Sequence, residues 1–153
     1  MGAVFGMHID IKYLNDKCKL VQGSNGAIAF DVKANIDEPI TIECGKSAVI
    51  PLGFALDTKK RSIGMFLFIR SGLGCKHGLT ILNSVGIIDS DYRGEVMAVV
   101  YNTGAMGKSF TIEPNMRCGQ VVFLESVDVT LNEVAELNKT QRGAGGFGST
   151  GVN

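Results

Sequence analysis

The sequence predicts an all-β domain, a sandwich, jelly roll or barrel made of many short strands. Three observations predict it. The 153-residue chain holds 20 glycines against three prolines and no tryptophan. Its apolar residues fall in short runs, the first two alternating with polar residues at the two-residue period of a strand. Glycine, asparagine and proline separate most of the runs, as tight turns require. Apolar residues make up 45% of the chain and charged residues 20%, which excludes a disordered protein. A chain of this size buries roughly 70% of its unfolded surface, so one domain is expected.

The elements follow in order. Ile9, Ile11 and Tyr13 alternate with Asp10, Lys12 and Leu14, a strand pattern. Ile28, Phe30 and Val32 alternate with Ala29, Asp31 and Lys33 in the same way. Short runs at 48–52, 65–69, 80–82, 95–101, 110–112 and 120–124 read as further strands. Turns are expected at Gly45, over 72–78, over 102–107 and at Pro114-Asn115. One stretch reads as helix. Thr130-x-x-Glu133 is a capping box, and Leu131, Val134, Ala135 and Leu137 share one helical face, which predicts about two turns over 130–137. From Asn138 onward the chain holds five glycines and a single aromatic, Phe147. Such a segment has little surface to bury, so it predicts a flexible tail. The expected organisation is a β domain over 1–137 and a glycine-rich C-terminal arm over 138–153.

Several function classes are disfavoured. Lys+Arg and Asp+Glu are both 15, so no bulk positive charge points to nucleic acid. The longest apolar run, 96–101, is far short of the ~20 residues of a membrane helix. No basic patch precedes the short apolar stretch near the N-terminus, so no signal peptide is read there and a cytoplasmic protein is expected. Cys18, Cys44, Cys75 and Cys118 form no Cys-x-x-Cys pair and are expected to be free thiols. Two histidines, His8 and His77, make a histidine-built zinc site unlikely in composition.

Candidate chemistry sits in three places. Arg70-Ser71-Gly72 combines a guanidinium, a hydroxyl and an approachable backbone. The stretch 142–151 combines Arg142 with glycines and the hydroxyls of Ser149 and Thr150. Phosphate recognition uses these groups, although each stretch alone also reads as turn glycines beside a solvated arginine. Gly143-x-Gly145-x-x-Gly148 fits the dinucleotide-binding pattern but lacks the following helix. Gly107-Lys108-Ser109 lacks the first glycine of a P-loop. Asp89-Ser90-Asp91-Tyr92-Arg93-Gly94 begins like a calcium loop, but its twelfth position is Val100. What remains there is a carboxylate pair beside an aromatic, with a plain polar turn as the alternative. A carboxylate can act as general base or metal ligand.

Taken together, these segments resemble the trimeric dUTPase family, whose five ordered motifs all have counterparts. The first is similar to 28–32, the second to Arg70-Ser71-Gly72-Leu73 with Lys76-His77-Gly78. The third spans 83–96, the fourth is similar to Arg117-Cys118-Gly119-Gln120, and the fifth to 142–151. Two departures stand out. Ala29 occupies a usual glycine position in the first motif, and Asn115-Met116 replace a glycine and an acidic residue before Arg117. Asparagine tolerates a left-handed turn, so Asn115 is compatible with that geometry.

The resemblance implies a dUTPase-like jelly roll or distorted β-barrel, assembled as a homotrimer with active sites shared between subunits. It implies hydrolysis of dUTP to dUMP and pyrophosphate with Mg²⁺, keeping uracil out of DNA and supplying dUMP for thymidylate synthesis. By the same resemblance Asp89 activates the water that attacks the α-phosphorus, and Asp31 holds a metal-bound water. Arg70, Ser71, Gly72, Gln120, Arg142, Gly148 and Ser149 serve the phosphates, and Arg117 gives structural support, with a buried ion pair between subunits as the alternative reading of Arg117. Asn83, with backbone at Gly86 and Ile88, reads uracil. Tyr92 lies under the sugar, and Phe147 caps the base. A cytoplasmic setting, or host-cell cytoplasm for a viral protein, is implied, with neither nucleic acid nor membrane as partner. Two alternatives remain at this point: a nucleotide-switched regulatory protein with its own protein partner, and a dCTP deaminase.

Overall fold

The computed structural model describes residues 6–146. In chain order its strands are β1 (Asp10–Tyr13), β2 (Val21–Gln22), β3 (Phe30–Lys33), β4 (Ile40–Ile42), β5 (Ser47–Pro51), β6 (Phe54–Asp57), β7 (Ile63–Ile69), β8 (Leu79–Ile81), β9 (Gly86–Ile88), β10 (Met97–Asn102), β11 (Phe110–Ile112) and β12 (Arg117–Glu125). One helix, α1 (Ser71–His77), lies between β7 and β8. All pairings are antiparallel. The largest sheet runs β2-β3-β12-β7-β9. A second runs β5-β10-β8, and two-stranded ladders join β1 to β6 and β4 to β11. The chain is an all-β protein of jelly-roll type with one short helix.

Alternation builds the core. On β7, Ile63, Met65 and Leu67 are buried while the residues between them are only partly covered. On β10, Ala98, Val100 and Asn102 point in. Met65, Leu67, Ala98 and Val100 meet Val32, Ile50, Phe54, Ile81, Ile112 and Val121 in one cluster. Buried apolar area is the main stabilising term, at roughly 25 cal/mol per Å².

Every strand expected from the sequence is present, with shifted ends. The strand expected from Ile28 starts at Phe30, and Ile28 is 84% exposed. Four strands lacked a readable signal. β6 is covered on both faces at Phe54, Ala55 and Leu56, so it shows no alternation. β2 and β9 are two and three residues long, and β4 also has three.

The helix expected over 130–137 does not form; those residues have no regular structure. Two turns are too few to be stable without packing. Here Leu131 and Leu137 are 91% and 85% exposed, so the apolar face has no cover within the chain. The helix that does form occupies the glycine-containing stretch read as a turn. α1 buries Leu73 against the core. It ends at Gly78, whose left-handed φ of 66° lets its N–H donate to Gly74 O at 3.0 Å. Tertiary packing overrides the poor helix propensity of Gly72 and Gly74.

No helix among the described residues is long and apolar enough to cross a membrane. The expected boundary at 137/138 coincides with no change in the structure, since 126–140 has no helix or strand.

Candidate active site

The phosphate-type groups converge where β3, β12 and the end of β7 lie side by side. β12 runs between β3 and β7. Gln120 stands directly opposite Asp31 on β3, so the two share a face. Arg117 lies three residues earlier, and strict alternation would turn it to the other face. A bulge between Arg117 and Gly119 absorbs the odd residue. It re-aims Arg117 toward Asp31, as bulges beside active sites do. Arg117 Nη1 then donates to Asp31 Oδ2 at 3.0 Å.

Arg70 follows the last residue of β7 and caps α1 in extended conformation. Its Nε lies 3.2 Å from Asp31 Oδ1. Asp31 therefore holds two guanidiniums, one on each oxygen, and its side chain is only 13% exposed. These charge-assisted contacts fix both arginines before any ligand arrives. Ser71, Gly72, Lys76, His77 and Gln120 line the same cleft, which measures about 410 Å³.

Local sequence explains the frame. Gly119 packs so closely that a Cβ would stand 3.0 Å from both Phe68 O and Val32 Cγ2. Asn115 adopts a left-handed φ of 61°. Its N–H donates to Ala34 O at 2.9 Å, and Ala34 N–H returns a bond to Met116 O at 2.9 Å. The asparagine thus makes the turn expected of the usual glycine. Cys118 beside it is no nucleophile, because burial pushes its thiol up to about 12.

A second cleft of about 380 Å³ opens between β8, β9 and β10. Asn83, Gly86 and Ile88 line it. The chain reverses at Ser84, φ 67°, where Ser84 N–H donates to Ile81 O at 2.8 Å. Gly86 packs over Leu67, whose Cβ would be 3.2 Å from an added Cβ. Met97 lines this cleft too and was not singled out from sequence. Its place at the start of β10, half exposed beside an apolar cleft, is visible only once β10 and β8 are paired.

Asp89 lies just past the end of β9 and faces a third, open cavity of about 860 Å³ that Asp57, Lys59, Arg61 and Arg93 also line. The chain turns here, with Tyr92 N–H donating to Asp89 O at 3.2 Å. Among the described residues the Asp89 carboxylate makes no hydrogen bond or ion pair. The Tyr92 hydroxyl donates to Glu95 O at 3.0 Å. Its ring occupies the space beside Gly94, where a Cβ would come within 2.7 Å of Tyr92 Cζ.

The expected site residues thus fall into separate groups on one chain. Asp31, Arg70, Ser71, Gly72, Gln120 and Arg117 are together. Asn83, Gly86 and Ile88 form another group, and Asp89 a third. Arg142 joins none of them; its Nε donates to Gly145 O at 3.0 Å. Phe147, Gly148 and Ser149 lie outside the described residues.

Among the described residues no three His, Cys, Asp or Glu side chains gather as a metal cage. Asp31 can still accept hydrogen bonds, because a carboxylate offers about four lone-pair positions and two are used. That donor set suits a Mg²⁺ that takes phosphate oxygens and keeps its waters.

An all-β jelly-roll domain with one cleft lined by Arg70, Arg117, Lys76 and the Ser71 hydroxyl offers the donor groups that anion recognition uses. Comparison with known proteins narrows the class. The family model for dUTPase matches residues 17–151. A deoxyuridine 5'-triphosphate nucleotidohydrolase of Desulfitobacterium hafniense (strain DSM 10664 / DCB-2) is 43% identical over 128 residues, covering 84% of this chain and 83% of the relative. One from Paraburkholderia phymatum is 37% identical over 148 residues, covering 95% and 99%. Among solved structures, the Staphylococcus bacteriophage 80alpha dUTPase G164S mutant with dUpNHpp superposes with a TM-score of 0.82 at 22% identity, covering 95% and 99%. The dUTPase from Streptococcus mutans gives 0.69 at 25%, covering 80% and 98%. The chain belongs to the dUTPase family, hydrolases of nucleotide metabolism.

Proposed function

We propose that this protein hydrolyses dUTP to dUMP and pyrophosphate. One observation carries the reading: a single carboxylate, Asp31, organises two guanidiniums in a cleft that also holds Ser71 and Gln120. A nucleoside triphosphate brings about four negative charges, and donors fixed in advance need no reorganisation when charge develops. Arg70 binds phosphate oxygens, and Ser71 donates to the departing pyrophosphate. Mg²⁺, when bound, offsets charge on the triphosphate, and Asp31 accepts from its waters. Asp89 orients the attacking water and takes its proton.

The base is read in the second cleft. The Asn83 amide and backbone groups at Gly86 and Ile88 distinguish uracil from cytosine by hydrogen-bond polarity. Met97 closes the apolar side. The phosphate cleft shares no lining residue with the base cleft or the Asp89 cavity, which adjoin at Ile87, and this separation supports a homotrimer that completes each site from several subunits. The 138–153 arm then acts as a lid. Arg142, Gly148 and Ser149 meet the phosphates and Phe147 stacks on the base, a contact worth roughly 1–3 kcal/mol in single-strand complexes. A cytoplasmic location fits this role.

Pyrophosphate release measured side by side with dUTP, dCTP, dTTP and UTP tests the proposal. Strong preference for dUTP is expected. Ammonia release from dCTP would instead mark a deaminase, and no turnover of any of the four would overturn hydrolysis.

Tyr92 carries the discrimination against ribose. Its ring, flat beneath the sugar, leaves no room for a 2′-hydroxyl. Tyr92→Ala is expected to raise kcat/KM for UTP relative to dUTP. An unchanged ratio would assign the filter to another residue.

A further inference from the structure

Residues 89–95 leave the sheet. The β7–β9 ladder ends at the Met65–Ile88 pair. Cross-strand backbone bonding resumes only at Val96, which donates to Phe54 O at 2.9 Å and accepts from Leu52 N–H at 3.0 Å. Between these anchors the described residues hold one backbone bond, the Asp89–Tyr92 turn. Side chains do the rest. The Tyr92 hydroxyl reaches Glu95 O.

Glu95 Oε1 accepts from Asn35 Nδ2 and from Gly53 N–H, both at 2.8 Å, at the end of the segment, and Arg93 holds its middle. Its Nη1 donates to Ser90 O at 2.7 Å and to Tyr92 O at 3.2 Å. Its Nη2 lies 3.0 Å from Asp57 Oδ1. Asp57 ends β6, whose Phe54 and Leu56 are buried in the core. One guanidinium therefore fastens the turn that carries Asp89 and Tyr92 to the end of a core strand.

We propose that Arg93 is a positioning residue for the hydrolysis, holding the Asp89–Tyr92 turn in place through Asp57. The inference rests on the reading of Asp89 as base and Tyr92 as sugar platform. A planar fork holds its donors in a fixed geometry toward two carbonyls and a carboxylate, whereas a lysine ammonium offers three rotatable donors on a flexible stem. The Arg93 and Asp57 side chains are 53% and 35% exposed, and ion pairs this open add little stability. The effect therefore falls on rate. A misplacement of about 1 Å costs on the order of 10²-fold in an oriented reaction.

The test uses the full chain with Arg93→Ala, Arg93→Lys, Asp57→Asn and the Arg93→Ala/Asp57→Asn pair, and Asp89→Asn as control. kcat and KM for dUTP and UTP are measured with the thermal midpoint. Asp57→Asn keeps an Oδ1 acceptor for Lys59 N–H, 2.8 Å away, while removing the charge facing Arg93. Arg93→Ala is expected to lower kcat for dUTP by about ten- to a hundredfold and to narrow the dUTP/UTP ratio, with KM and the thermal midpoint little changed. Asp57→Asn moves the same quantities less, adds nothing to Arg93→Ala, and Arg93→Lys recovers part of the rate. Arg93→Ala within about threefold of the parent kcat, with Asp89→Asn inactive, overturns the positioning role alone. A fall in kcat matched by a large fall in thermal midpoint overturns it in favour of a structural role. Losses that multiply in the double variant overturn the route through Asp57. An Asp89→Asn variant as fast as the parent overturns the reading beneath.

Discussion

Asp89→Asn is expected to lower kcat for dUTP by about 10²–10⁴-fold, the range a positioned general base contributes. The substitution keeps the shape of the side chain and removes its basicity. It leaves the fold intact, because the carboxylate is exposed and has no hydrogen-bond partner among the described residues. The proposed function assigns triphosphate binding to Arg70 and its neighbours, so KM for dUTP is expected to change much less than kcat. Steady-state kinetics with a parallel thermal melt checks both halves. A kcat within about threefold of the parent would remove Asp89 from the base role.

Deleting residues 142–153 is expected to remove most activity from a chain that still folds. The core cluster draws nothing from beyond Phe123. Among the described residues, the last hydrogen bonds from the C-terminal segment to the β domain are those of Ser126, whose N–H and hydroxyl both donate to Ser62 O, at 2.7 and 3.2 Å. The cut falls well past them. The loss would be that of a lid which excludes water and completes the phosphate contacts. Co-refolding the truncated chain with full-length Asp89→Asn extends the test. If one subunit's arm closes over another's Asp89, mixed trimers contain some sites with both parts intact, and part of the rate returns. Zero recovery in confirmed mixed trimers would sink the shared-site arrangement.

The sequence was most readable where one physical rule acted alone. β1, β10 and β12 could be located because apolar residues recur in short runs between turns. β6 was invisible because both its faces are covered. The 130–137 segment has sound capping and periodicity, yet its apolar face meets nothing in the chain. The 71–77 stretch has poor propensity and forms a helix because Leu73 is buried. Local preference and tertiary packing disagree at both places, and packing decides.

The site divides in the same way. The family resemblance gave Arg70 and Gln120 to the phosphates and Asp31 to a metal-bound water, and the register of β12 against β3 sets Gln120 opposite Asp31. The aim of Arg117 was not legible, since a bulge is a property of two strands together. The tie between Arg93 and Asp57 joins residues with no shared pattern in sequence. Met97 comes to line the cleft of Asn83, Gly86 and Ile88 only because β10 packs beside β8.

The charge placement has a kinetic consequence. Over the whole chain 15 cations balance 15 anions, so at a distance the protein attracts no anion. Close to the cleft, Arg70, Lys76 and Arg117 surround one carboxylate, and the local potential is positive. At physiological salt such a field reaches only about 8 Å before ions screen it. Under the proposed function, a triphosphate is expected to feel no pull toward the protein until it is almost at the mouth, and then to be turned phosphate-first. Capture depends on ionic strength through this last step, while a bound triphosphate, held at short range, is largely insulated from it.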